Sequence, residues 1–177
     1  MSQIPSYQEA VHLLKKVGCS PIIIQHCINV SNLAVKMAKK LLAKGVEVDC
    51  RLVEIGGVLH DIGRSKTQDI HHAVIGAQIV ASHNLPISLI KIVERHIGSG
   101  IPKDEAIKLG LPNKDFTPRT IEEKIVSYAD KLIDGHREMS FTEALQRLTE
   151  DLGKSHPAIT RFKKIHFELL QMTGNET

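Results

Sequence analysis

Leu52-Val53-Glu54-Ile55-Gly56-Gly57-Val58-Leu59-His60-Asp61-Ile62-Gly63 is an apolar segment that runs into a histidine, a carboxylate and a glycine. Asp49 stands before it as an N-cap, and the stretch predicts a helix over about 50–62. Placing a carboxylate on such a helix is costly unless it is paired or binds a metal. Adjacent helical positions point about 100° apart. His60 and Asp61 still converge on one ion if it sits over the wedge between them. Gly56 and Gly57 lower helix propensity, and close approach of a facing helix would give a reason for them.

Working outward, Ser20 caps and Pro21 opens a helix over 21–44, with Gly45 as its stop. Ile23, Cys27, Val30, Ala34, Met37 and Leu41 recur at spacings of three and four, so one face is buried. Ile22, Ile23 and Ile24 alone would suit a strand, but the periodicity that follows overrides them. Ser6 and Glu9 form a capping box for a helix over 7–17, which ends at Gly18. Further helices are expected over 70–83 and 86–97. Thr120 caps another over 121–134, Ser140 and Glu143 box one over 141–151, and Pro157 opens the last, to 172. Residues 98–119 are richer in Gly and Pro, with a short helical patch over 103–109, and read as a semi-ordered connection. No alternating run of strand length stands beside a hairpin signal. The expectation is all-α: one helical bundle over 1–177, with its core at about 21–134, the helices of 140–172 packed alongside, and a site between helices.

A chain of 177 residues with 42% apolar and 24% charged residues fits one globular domain. No run approaches the roughly 20 apolar residues of a membrane helix. Met1 to Tyr7 lacks a basic-then-apolar leader, so a cytoplasmic location and no membrane partner are expected. Net charge is +3 with both signs interspersed, aromatics are 3% and Trp is absent, which argues against nucleic acid as a binding partner. A nucleotide as substrate stays open. Cys19, Cys27 and Cys50 make no C-x-x-C pair, so they read as small apolar residues rather than disulfides or a zinc site. The ten histidines are the unusual feature of the composition.

His26 lies beside Cys27 at the edge of an apolar face, and Asp130 lies in Val126-Ser127-Tyr128-Ala129-Asp130-Lys131, on the apolar side of its helix. With His60 and Asp61 they form a mixed N/O set from three helices. Such a set suits Mn²⁺, Fe²⁺, Co²⁺, Ni²⁺ or Zn²⁺ better than Ca²⁺ or a Cys site. The order His26, His60-Asp61, Asp130, with the Ile62-Gly63 extension, resembles the HD superfamily of metal-dependent phosphohydrolases and its HDIG subgroup, over about 21–134. His72-Ala73-Val74-Ile75-Gly76-Ala77 and Arg95-His96-Ile97-Gly98 look like two further segments of its dinuclear branch, which includes diadenosine tetraphosphate hydrolases and HD-GYP phosphodiesterases.

The resemblance implies an HD-domain helical bundle and one or two divalent transition-metal ions per chain. His26, His60, Asp61 and Asp130 would hold the first, His72 and His96 the second, and Asp61 would bridge them. It also implies an enzyme that cleaves a phosphoester or phosphoanhydride of a small nucleotide-like substrate with metal-activated water. No Gly-Tyr-Pro follows and Ile97 stands where a second His would, which disfavours cyclic dinucleotide hydrolysis. Beside Asp61, Arg64 and Lys131 are the nearest candidates to meet phosphate charge. Lys66, Lys114 and Arg119 are further ones, the last two in the 98–119 stretch that would then close as a lid. His12, His71, His83, His136, His156 and His166, with Glu54, carry no pattern and read as surface or structural residues. The ligand types alone also fit a di-iron oxygenase of HD type. A non-catalytic sensor or scaffold commonly loses the residues kept here. A homo-oligomer is left open.

Overall fold

Two helices that touch backbone to backbone organise the chain. In the computed structural model, which describes residues 3–174, α2 (Pro21–Ala43) lies against α3 (Cys50–Leu59). Residues 1–2 and 175–177, the ends of the expected unit, lie outside the described residues. A Cβ added at Gly57 would stand 2.7 Å from the Ser31 Cα, and one at Gly56 would stand 2.7 Å from the Ile92 Cδ1. The two glycines therefore allow the close approach for which they lose helix propensity. Ser31 Oγ closes the contact by donating to the Glu54 carbonyl at 2.8 Å.

Around this pair stand α1 (Tyr7–Val17), α4 (His72–Ser82), α5 (Ile87–Arg95), the short α6 (Lys103–Lys108), α7 (Ile121–Leu132), α8 (Phe141–Leu152) and α9 (Pro157–Thr173). The caps expected from Ser6, Ser20, Asp49, Thr120 and Ser140 all form, two of them as full capping boxes with Glu9 and Glu143. One apolar core joins Leu14, Cys27, Val30, Leu41, Ile55, Leu59, Ile92, Ile125 and Val126, and continues through Ala144, Phe162 and Leu169 to the last two helices. No helix among the described residues is long and apolar enough to cross a membrane.

Four expectations need correction. The helix predicted over 50–62 ends at Leu59. Asp61 lies outside it at φ −100°, ψ 15°, and Ile62–Ser65 form a tight 3-10 turn. The cause is contact with α4: a Cβ on Gly63 would lie 1.9 Å from the His72 carbonyl oxygen, so the chain turns onto that helix. His60 and Asp61 are therefore not neighbours on a helix side but flank a helix end. The helix predicted to 97 stops at Arg95, followed by a turn over Ile97–Ser99 in which Gly98 has φ 57°. The helix predicted to 134 stops at Leu132, and Ile133–Asp134 pairs antiparallel with Arg137–Glu138 around Gly135. Strands of two residues are too short to show alternation in sequence. Finally, 98–119 is anchored rather than semi-ordered. Ile101, Ala106, Leu111 and Phe116 bury with Ala73 and Ile97 in a second apolar cluster. The Phe116 N–H donates to the Ile101 carbonyl at 2.9 Å.

The glycine contact gives a direct test. Overpacking a close-packed core by one methyl costs about 1–3 kcal/mol. Gly57→Ala should lower the urea unfolding free energy by that amount, since the obstacle is the Ser31 backbone. A change within about 0.5 kcal/mol would show that the two helices are free to separate.

Candidate metal centre

Three buried histidines are oriented the same way. His60 ends α3, His72 begins α4 and His96 follows α5. In each, Nδ1 donates to the carbonyl three residues back: Gly57 at 2.8 Å, Asp69 at 2.6 Å and Val93 at 2.7 Å. A carbonyl can only accept, so the proton sits on Nδ1 and each Nε2 presents a lone pair.

Those lone pairs converge on Asp61. Its Oδ1 lies 3.1 Å from His72 Nε2 and 3.4 Å from His96 Nε2. Its Oδ2 lies 3.8 Å from His60 Nε2 and 3.9 Å from His26 Nε2. Asp130 Oδ1 completes that second side, 3.0 Å from His26 Nε2 and 3.4 Å from His60 Nε2. Residues from α2, the end of α3, α4, the end of α5 and α7 thus meet at one carboxylate, and all six sequence-predicted positions come together.

The cluster fits a cation. His72 Nε2 and His96 Nε2 stand 3.1 Å apart with neither able to donate, so two lone pairs face each other and Asp61 Oδ1. His60 Nε2 and Asp61 Oδ1 are buried without a hydrogen-bond partner, which costs free energy unless something positive lies between them. Titration describes the same cluster without a cation, where protons on the facing nitrogens can take the place of an ion. Burial would raise both carboxyls. The surrounding imidazoles hold Asp61 well below the usual range, and Lys131 with His26 and His60 does the same for Asp130. Burial would lower His60, yet Asp61 leads the groups that raise it well above its ordinary value, so without a cation a second proton competes for His60 Nε2. Burial brings His96 down to about 4, leaving it neutral, the form that ligates. His26, His60 and Asp130 are close enough together to hold one ion, and His60, Asp61 and His96 another, with His72 beside them.

An open cleft of about 810 Å³ leads to this cluster and is lined by His26, Asp61 and Asp130. Arg64 and Lys131 line it as well. Arg64 Nε donates to Asp61 Oδ2 at 2.6 Å and Lys131 Nζ to Asp130 Oδ2 at 2.5 Å. Arg64 also donates through Nη1 to the Gln68 carbonyl at 3.1 Å. The other three cations do not line the cleft. Lys66 is exposed, Lys114 pairs with Glu94, and Arg119 lies 3.8 Å from Asp115. The lid expected of 98–119 goes with them, because its apolar residues are committed to the second cluster. Among the remaining histidines, His83 caps α4 through the Ile79 carbonyl and His166 Nδ1 shares a hydrogen bond of 2.6 Å with Tyr128 OH. The sequence reading missed Arg147 and His136 as cleft residues. The spacing of Ala144, Arg147, Leu148 and Asp151 puts them on one face of α8, but it does not say that this face lines a cleft.

Comparison with known proteins bears on the family and the fold. Residues 23–134 match the HD domain. The chain is 45% identical over 163 residues to an uncharacterized protein of Methanocaldococcus jannaschii, covering 92% of this chain and 96% of that one. It is 40% identical to a tRNA (cytidine(56)-2′-O)-methyltransferase of Picrophilus torridus, over 98% of this chain, and spans 49% of that protein's length. Ribonuclease Y of Acidothermus cellulolyticus is 27% identical over 87% of the chain, which spans 27% of it. Among solved structures, the HD domain of the L. monocytogenes phosphodiesterase PgpH superposes with a TM-score of 0.54 at 21% identity, covering 92% of this chain and 97% of that one, and so shares the fold.

The centre is braced from behind. Ser127 Oγ, fully buried on α7, donates to the His96 carbonyl at 2.9 Å. Ser127→Ala should cost about 1–3 kcal/mol in denaturant unfolding, because a buried carbonyl loses its donor. No measurable loss would mean that His96 is positioned by α5 alone.

Proposed function

Because the chain belongs to the HD domain family, we propose that it is a metal-dependent phosphohydrolase acting on a small nucleotide-like phosphoester or phosphoanhydride. The observation that carries this reading is the divided carboxylate of Asp61, one oxygen toward His72 and His96, the other toward His26 and His60. In this reading His26, His60, Asp61 and Asp130 would hold one divalent transition-metal ion, and His72 and His96, with Asp61, would hold a second. Such ions, when bound, draw charge from phosphate oxygens and make water a stronger nucleophile near neutral pH.

The chain's own residues do the rest. The backbone carbonyls behind His60, His72 and His96 fix each ring and its tautomer, so little reorganises when a ligand arrives. Arg64 holds Asp61 and presents its remaining guanidinium donors at the cleft, where they fit two phosphate oxygens. Lys131 does the same beside Asp130 as a point charge. Both are reached from solvent, so a phosphate can share them without a rearrangement of the core. The apolar walls around the cluster limit water and strengthen each of these contacts.

What its relatives act on supports a nucleotide-type phosphoester: one is a ribonuclease, and another a phosphodiesterase domain solved with cyclic-di-AMP. Methyl transfer to tRNA belongs by name to proteins of which this chain spans about half, and is not proposed for it.

The test is metal content followed by hydrolysis. Purified protein given excess Mn²⁺ and desalted should carry two ions per chain by elemental analysis, and should hydrolyse bis(p-nitrophenyl) phosphate. Asp61→Ala should lose most of both ions, because each site loses a ligand in an apolar setting. His72→Ala with His96→Ala should keep one ion and lose diester hydrolysis by orders of magnitude. Full metal content in Asp61→Ala would remove the assignment. Dioxygen uptake by iron-loaded protein in place of hydrolysis would move it to the oxygenase reading.

A further inference from the structure

The wall of the cleft opposite in origin to the histidines comes from α8. Ala144, Arg147, Leu148 and Asp151 lie at helical spacing and all line it, although α8 supplies none of the His and Asp residues of the centre. The sides are apolar, with Ile22, Ile23, Ile133, Met139 and Leu148. Ile22 is 80% exposed at the second position of α2, a large aliphatic side chain left at the mouth of a polar site. A cleft of about 810 Å³ is far more than one phosphate fills, and lies within the roughly 300–1,000 Å³ of small-molecule sites.

Arg147 lines the cleft together with Arg64 and Lys131 but pairs with neither Asp61 nor Asp130. Its Nη1 lies 2.5 Å from Asp134 Oδ1, on the hairpin strand four residues beyond Asp130. Both side chains are about half exposed, so the pair contributes little to stability and is readily shared. A guanidinium has five N–H donors, and Asp134 engages one end of the fork. Asp151, one turn further along α8, also lines the cleft. Without Arg147 this part of the cleft would repel an anion.

We propose that Arg147 is a second anion anchor. The cleft then takes a nucleotide carrying a further phosphate besides the one to be hydrolysed, with its uncharged body against Ile22, Met139 and Leu148. The proposal rests on the phosphohydrolase reading of the same cleft. The scissile phosphate belongs with Arg64 and Lys131, the second phosphate with Arg147, and the apolar wall separates them. A substrate with one phosphate leaves Arg147 on Asp134 and gains nothing from α8.

The test compares adenosine 3′,5′-bisphosphate with adenosine 5′-monophosphate by titration calorimetry on the Mn²⁺-loaded protein. One charge-assisted contact at a half-exposed site gives about a tenfold preference for the bisphosphate. Arg147→Ala should bring the ratio of dissociation constants to about one, and Arg147→Lys should keep part of it. Asp134→Asn relieves the guanidinium of its carboxylate and should preserve or raise the ratio. No preference in the native protein, or an unchanged ratio in Arg147→Ala, overturns the proposal. So does an Asp134→Asn variant that loses the preference as Arg147→Ala does, since Arg147 would then serve only to clamp the hairpin. If the protein binds neither nucleotide yet hydrolyses bis(p-nitrophenyl) phosphate, this proposal falls and the phosphohydrolase reading stands. If it binds no metal and hydrolyses nothing, the phosphohydrolase reading falls with it.

Discussion

The Asp61 carboxylate is buried among imidazoles that have already committed their protons elsewhere, and the rest of the structure is arranged around that constraint. A carboxylate in an apolar interior is tolerated only when positive charge or donors reach it. Here the Nδ1 protons of His60, His72 and His96 go to backbone carbonyls, so only lone pairs face Asp61. Arg64 meets one carboxylate oxygen from the cleft side, and Oδ1 has no donor at all. The polarity of the cluster is thus incomplete as protein alone. Its design makes sense if a cation supplies the missing charge.

Holding five chain segments at one carboxylate demands close backbone contacts, and glycine supplies them. Gly57 lets α3 lie on α2, which brings His60 toward His26. Gly63 lets the turn after Asp61 press on the first residue of α4, which is His72. Gly76 continues the contact, its missing Cβ leaving room for the Val93 side chain on α5, three residues before His96. Each glycine sits at the step that carries one histidine to the next, so packing and site geometry are one problem. The Ser127 hydroxyl and the buried apolar side chains of 98–119, packed on Ala73 and Ile97, brace the same region.

Much of this was legible in sequence. Periodicity, caps and prolines located the helices, because those signals are local and each has one physical meaning. The six His and Asp positions were legible through their order and residue types. The helix ends near the site were not. Asp61 and His96 leave their helices because Gly63 and Gly98 permit turns that tertiary contacts then select, and helix propensity cannot see those contacts. The hairpin at Ile133–Asp134 was too short to show alternation. The 98–119 stretch read as loose because its Gly and Pro content is high, while its four buried apolar residues recur every five positions, a spacing that matches neither a helix nor a strand. Arg147 was hidden for another reason: its place on the cleft wall comes from how α8 docks, which no motif records.

The claim that Asp61 joins two cation sites can be read directly from crystals grown with Mn²⁺, in an anomalous difference map collected at the manganese edge. The account predicts two peaks flanking Asp61, one beside His26, His60 and Asp130 and the other beside His72 and His96. A saturated crystal with no peak at Asp61, or with a single peak that leaves His72 and His96 unligated, would contradict it.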